Sequence, residues 1–170
     1  MHIRLATEAD IQAILEIYNE IVETTFAIYD ERPSTLQERK AWFESRQAGG
    51  WPVLVAEDAD RIAGFSSFGE WRNRWGYRYT VEHSVHVRAA QRGRGIGRAL
   101  LEALFPLAAE AGKHTMIAHI DSLAVASVRL HARLGFESVG TFREVGRKAD
   151  RWLSVITMQR MISAADSAAS

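Results

Sequence analysis

No cysteine occurs in the 170 residues, which excludes disulfides, a thiol nucleophile and cysteine-built zinc sites. That composition fits a reducing, cytoplasmic setting. Neither sign of charge is in excess: Lys plus Arg and Asp plus Glu each number 21, so no global basic field exists to draw in nucleic acid or anionic lipid. No apolar run approaches the roughly 18 residues that a membrane-crossing helix needs. The opening MHIRLATEAD lacks the apolar stretch of a secretory signal. Neither a nucleic-acid nor a membrane partner is expected.

What is present is the alternation of an α/β domain. No repeat and no linker divides the chain, so one domain is expected over 1–162, with a small, polar, frayed tail over 163–170. His2 to Ala6 alternates as a strand. Thr7 with Asp10, and Thr35 with Glu38, are spaced as capping boxes ahead of two helices, the second ending near Gly49-Gly50. Pro52–Glu57 and Arg61–Phe68 are β-branched and apolar around a turn at Asp58–Asp60, which predicts a hairpin. The next strand is expected over Tyr77–Val87, and a helix from the following glycines to about Ala111. Pro106 costs that helix a hydrogen bond and predicts a kink. A strand at Thr115–Ile120 and a helix at Val125–Leu134 follow. Gly135-Phe136 is a left-handed stop with its apolar contact. Strands near Glu137–Val145 and Trp152–Met161 complete a mixed sheet with helices on both faces.

The segment Arg92-Gly93-Arg94-Gly95-Ile96-Gly97-Arg98 lies between a strand and a helix. The first amides of a helix lack partners, and its dipole favours negative charge there. Glycines let a phosphate approach the backbone, and three arginines add charge, so the segment reads as a pyrophosphate cradle. No Lys-Ser or Lys-Thr follows, as a P-loop requires. A dinucleotide fingerprint fails because Arg98 or Leu100 stands where a small residue belongs. A glycine turn with solvated arginines is the plainer alternative.

On the strand before these glycines, Thr80, Glu82, Ser84 and His86 share one face; Val81, His83, Val85 and Val87 share the other. A polar face on an inner strand implies either a buried site or a satisfied hydrogen-bond network. His83 and His86 fall on opposite faces and make a poor metal pair. No His-Glu-x-x-His occurs, and Gly64–Gly69 lacks the spacing of a serine nucleophile elbow.

Arg92-x-x-Gly95-x-Gly97 resembles the coenzyme-A pyrophosphate motif of the GNAT acetyltransferase superfamily. Thr80–Val87, Leu130-His131 and Leu134-Gly135-Phe136 look like its phosphinothricin, methionine sulfoximine and methionine sulfone acetyltransferase branch. Ile17-Tyr18-Asn19, Ala41–Glu44, Phe68–Arg72 and Arg151–Leu153 extend the resemblance over Ile3 to Met161. It implies a GNAT fold: a mixed, splayed sheet of six or seven strands with about four helices. It also implies acetyl-CoA as co-substrate, no metal, and a homodimer in which Arg151 and Trp152 approach the partner's site.

Acetyl transfer to an amine requires a held acetyl-CoA, a deprotonated ammonium, a stabilised oxyanion and a tolerated thiolate. The resemblance assigns Glu82 as general base, with His83 and Ser84 lining the substrate pocket. The backbone of Val85, His86 and Val87 pairs with the pantetheine arm, and Arg92 to Arg98 hold the pyrophosphate. Ser127 and His131, four apart on a helix, look towards the coenzyme, with His131 as acid to the thiolate. Ala124 stands where the family has Asn. Arg72, Asn73, Arg74 and Arg78 form the substrate wall, with Arg72 and Arg78 matching the family and Arg74 and Trp75 departing from it. The expected reaction is direct attack, in a ternary complex, by the α-amino group of a small amino-acid-like acceptor. The rivals are another acceptor (a protein N-terminus, a polyamine or an antibiotic) and a non-catalytic acyl-CoA sensor.

Overall fold

A computed structural model of the chain describes residues 1–59 and 61–167. Its centre is a seven-stranded sheet in the order β1-β2-β3-β4-β5-β7-β6. The strands are β1 (His2–Leu5), β2 (Val53–Asp58), β3 (Arg61–Glu70), β4 (Thr80–Val87), β5 (Thr115–Asp121), β6 (Glu137–Lys148) and β7 (Arg151–Met161). Every neighbouring pair is antiparallel except β4 and β5. The helices are α1 (Ile11–Thr24), α2 (Leu36–Ala48), α3 (Ile96–Glu110), α4 (Val125–Arg133) and the single turn α5 (Ala164–Ser167). No described helix is long and apolar enough to cross a membrane.

Two cores sandwich the sheet. Ile14 and Ile17 of α1 and Phe43 of α2 pack on Val55 and Phe65. On the other face Leu100, Leu101 and Leu104 of α3 pack on Phe68, Val81 and Met116, and α4 adds Val128 and Leu130 to this side. Each of the fully buried side chains contributes about 1.5–3 kcal/mol relative to exposure, and Val128 and Leu130, partly buried, less.

Local signals in the sequence set the helix boundaries. At α2, Thr35 Oγ1 accepts from Glu38 N–H at 3.2 Å, and the Glu38 carboxylate accepts from Thr35 N–H at 2.7 Å. Ahead of α1, Asp10 accepts from Thr7 N–H at 2.8 Å and from Thr7 Oγ1 at 3.1 Å, and its carboxylate also holds the Arg4 guanidinium. The turn between β2 and β3 includes residue 60, which lies outside the described residues.

Two expectations need correction. β4 begins at Thr80 rather than Tyr77, because Trp75–Tyr77 closes into a 3-10 turn. α3 runs to Glu110 with Pro106 inside it, close to the end at Ala111 expected from the sequence. Ser163–Ser167, expected to fray, folds into a turn in which the Asp166 carboxylate accepts from Arg160 at 2.7 Å and from Ser163 N–H at 2.8 Å. Residues 168–170 of the expected tail lie outside the described residues.

One buried cation ties the far end of the sheet to α1. Lys148, at the end of β6, donates through Nζ to the carbonyls of Val22, Thr25 and Ile28 at 2.5–2.9 Å. The carbonyls ending a helix lack partners, and its C-terminus favours a positive charge. Replacing Lys148 by Met leaves those carbonyls unsatisfied and should cost about 2–4 kcal/mol. Urea denaturation checks this; a change within 0.5 kcal/mol, about the scatter of neutral surface changes, would show the contact to be dispensable.

Candidate active site

β4 and β5 pair only from Thr80–Thr115 to Glu82–Ile117 and then part. β4 stays paired with β3 as far as Gly64–Val87, and β5 stays paired with β7 as far as Asp121–Val155. The inner edge of β4 beyond Glu82 therefore faces a wedge instead of a strand. A cavity of about 780 Å³ opens there. Val85, His86 and Val87 line it from β4, and Ala124, Ser127 and Leu130 from the opposite lip.

The glycine segment closes one end. Gly93 and Gly95 adopt φ of 78° and 83°, left-handed values that disfavour any side chain. A Cβ at either would meet no protein atom within 4 Å, so the backbone there borders open space. The hydrogen-bond ladder of α3 begins with Ala99 N–H on Gly95 O at 3.0 Å, and the amides of Ile96, Gly97 and Arg98 precede it. Arg92 and Arg98 line the cavity, and Arg133 joins them from α4. Arg92 Nε donates to Val87 O at 3.1 Å, and Arg98 pairs with Glu102 at 2.9 Å. Arg94 differs: it pairs with Asp58 at 2.9 Å and is outside the lining. Arg133 carried no sequence signal, because nothing local distinguishes it from a solvated helical arginine.

Beyond the cavity, the polar face of β4 looks towards α1 and α2. Glu82 Oε1 lies 3.2 Å from His119 Nδ1 on β5, and both side chains are partly exposed. His119 was missed; its only trace in the sequence is a polar residue within an apolar strand. Ser84 follows Glu82 on this face. His86 packs against Phe65, with ring centroids 4.9 Å apart, and edge-on to Tyr18. Burial, then the Arg39 and Arg92 guanidiniums, push its pKa down to about 4.

His83 is corrected. It faces the α3 side, away from Glu82, and stacks on His131 with centroids 5.1 Å apart. His131 is only 2% exposed, and both its nitrogens are engaged. Nδ1 donates to Ser127 O at 2.7 Å, which makes Nε2 an acceptor in the neutral ring; it meets His83 Nε2 at 3.2 Å. His83 Nε2 is then the donor, and its Nδ1 is buried without a partner. Burial holds both rings below the usual imidazole range. The expectation that His131 presents an acid to the coenzyme does not match this placement. The group nearer the cavity is the Ser127 hydroxyl, 3.4 Å from His131 Nδ1.

The expected substrate wall is an exposed aromatic loop. Arg72 lies over Trp71 at 4.6 Å, and Arg78 lies between Trp75 and Tyr79 at 4.3 and 4.2 Å. Asn73 and Arg74 are exposed, and Trp75 is 79% exposed. Ala124 is the N-cap of α4 and offers no side-chain cap. No cluster of three metal-ligating side chains occurs among the described residues.

Residues 3–156 match the family model described as an acetyltransferase (GNAT) domain. The chain is 48% identical, over 94% of its length and 93% of the relative's, to the L-methionine sulfoximine/L-methionine sulfone acetyltransferase of Salmonella typhimurium. It is 37% identical, over 94% of its length and 95% of the relative's, to the phosphinothricin N-acetyltransferase of Streptomyces coelicolor. An acetyltransferase of Salmonella typhimurium, solved with its cofactor acetyl-CoA, superposes with a TM-score of 0.93 at 47% identity, covering 96% of this chain and 94% of that one.

The depressed His86 sets a pH dependence of stability. Between an ordinary imidazole pKa and about 4 the unfolded chain takes up a proton that the folded chain refuses, so stability falls as pH drops through that window. His86→Gln should shrink the loss of Tm between pH 7 and pH 4.5. An unchanged loss would assign the acid sensitivity to other groups.

Proposed function

The chain belongs to the GNAT acetyltransferase family, and from that membership we propose that it transfers acetyl from acetyl-CoA to the α-amino group of a small amino-acid-like acceptor of the methionine sulfone, methionine sulfoximine or phosphinothricin type. The observation that carries this reading is the splayed β4 edge, with a carboxylate at its paired end and a glycine cradle at its open end.

The cavity fits the coenzyme. The amides at the start of α3, with Arg92 and Arg98 beside them, suit a pyrophosphate. The unpaired edge of Val85 to Val87 suits an amide-bearing pantetheine arm, which would add to it as a strand does. When bound, acetyl-CoA supplies the thioester carbonyl that the amine attacks.

Glu82 takes the ammonium proton, directly or through a water. His119 holds Oε1 of that carboxylate, which leaves Oε2 for the acceptor. Ser127 lines the cavity, and its hydroxyl would face the departing thiolate, with His131 held behind it on Ser127 O. Ser84 lies beside Glu82 on the acceptor side. The aromatic loop carrying Arg72 and Arg78 presents stacked guanidiniums to the acceptor's polar end.

The same reading includes a homodimer working in the cytoplasm, where acetyl-CoA is made and used. β6 is an edge strand exposed on both faces, and with β7 it presents Val139, Phe142, Val145 and Trp152. Such a patch calls for a cover, and a second copy supplies one. Sedimentation should show a dimer that Phe142→Asp separates; a monomeric parent would reject it.

Glu82→Gln decides the chemistry. It should lower kcat by about 10²- to 10⁴-fold and leave acetyl-CoA binding intact, read as thiol release and calorimetry. Coenzyme binding with no turnover of any acceptor by the parent protein would instead indicate a non-catalytic acyl-CoA sensor.

A further inference from the structure

Arg46 is a cation that nothing in this scheme employs. It stands in the last turn of α2, and its carbonyl accepts from Trp51 N–H at 2.8 Å, which fixes the helix end above the sheet. Its side chain descends onto β3. A Cβ at Gly69 would overlap the guanidinium, whose Cζ lies 2.9 Å from where that carbon would be. Gly69 does not have a positive φ, so the backbone does not require glycine there. The space does.

Gly69 is the ladder partner of Glu82. Paired residues in an antiparallel ladder stand about 4.5–5.5 Å apart at Cα, so the guanidinium rests beside the proposed base. Glu82 is the one charge that offsets the effect of burial on Arg46. The two do not pair: the Glu82 carboxylate bonds His119, and among the described residues no hydrogen bond or ion pair engages the Arg46 guanidinium. Its one aromatic neighbour, Trp42, is 5.7 Å away. The other arginines of this region stack on aromatic rings, Arg39 on Tyr18 at 3.8 Å with its Nε buried and unpartnered, Arg72 on Trp71 and Arg78 between Trp75 and Tyr79.

We infer that Arg46 binds the α-carboxylate of the acceptor and selects α-amino acids over simple amines. The inference rests on delivery of the amine to Glu82. In an α-amino acid the nitrogen and the carboxyl carbon share one Cα and lie about 2.5 Å apart. An amine at Glu82 therefore brings its carboxylate next to Glu82 as well, where an unpaired carboxylate would be repelled. A free guanidinium at that point turns the repulsion into a charge-assisted, bidentate contact. The loop arginines are left to the acceptor's distal group.

Steady-state kinetics with methionine sulfone and with its decarboxylated amine test this. The parent protein should prefer the amino acid. Arg46→Gln should raise KM for the amino acid by about 100-fold, with kcat/KM for the decarboxylated amine unchanged. That second substrate also reports whether the variant is folded. Gly69→Ala keeps the arginine but displaces its head, and should reproduce the loss; Arg46→Lys should restore part of it. Equal losses on both substrates, or no loss on either, would overturn the assignment. If the parent acetylates neither methionine sulfone nor phosphinothricin, the acceptor reading fails by itself. The same comparison on whichever amine is turned over then judges Arg46, and an acceptor without a carboxylate would overturn it.

Discussion

Two strands that cannot stay together organise this molecule. β4 and β5 run parallel for three residue pairs and then diverge, because each is held along its length by its outer neighbour, β3 or β7. An unpaired strand edge inside a sheet leaves amide and carbonyl groups that need partners. Here the edge faces a cavity, and the two lips of the wedge carry the glycine segment and α4. A ligand that offers its own amides would replace the missing strand, so the proposed coenzyme site is the break in the sheet.

Divergence also divides the chemistry by face. The α3 side of β4 buries Val81 and His83, and there burial holds the histidine pair neutral, against the upward pull of the His131–Ser127 carbonyl hydrogen bond. The α1–α2 side keeps Glu82 beside His119 and Arg46. Charge is tolerated on the second side because it stays partly solvated and can find partners, whereas an unpaired charge on the first would face only apolar side chains and a second imidazole. A single alternating strand thus separates the proposed base, Glu82, from the buried histidine pair on its other face.

Distant segments supply the remaining walls, and each is fastened by one polar anchor. Lys148 binds the end of α1, whose Ile21, and the following Thr25 and Phe26, reach the cavity. The Tyr29 hydroxyl donates to Asp121 at 2.8 Å, and its ring fills the space that Gly146 leaves by having no side chain. Asp121 in turn accepts from Leu123 N–H at 2.8 Å and shapes the turn into α4. The β6–β7 hairpin, the loop after α1 and the turn into α4 are therefore joined by polar contacts.

The sequence by itself determined the elements and their order. Capping pairs such as Thr35 and Glu38, the stop at Gly135, the glycines with positive φ at 93 and 95, and the alternation of Thr80 to Val87 are all local, and local geometry depends on neighbours within a few residues. Only the tertiary structure decided which side chains meet. His119 reaches Glu82 through the short parallel register, the Arg46 guanidinium lies beside Glu82 through the absence of a side chain at Gly69, and His131 turns from the cavity to His83. Those encounters join residues 36 to 48 positions apart in the chain: 36 for Arg46 with Glu82, 37 for Glu82 with His119 and 48 for His83 with His131. Periodicity carries no information over such spans, because register and packing between elements, not residue spacing, set the distances.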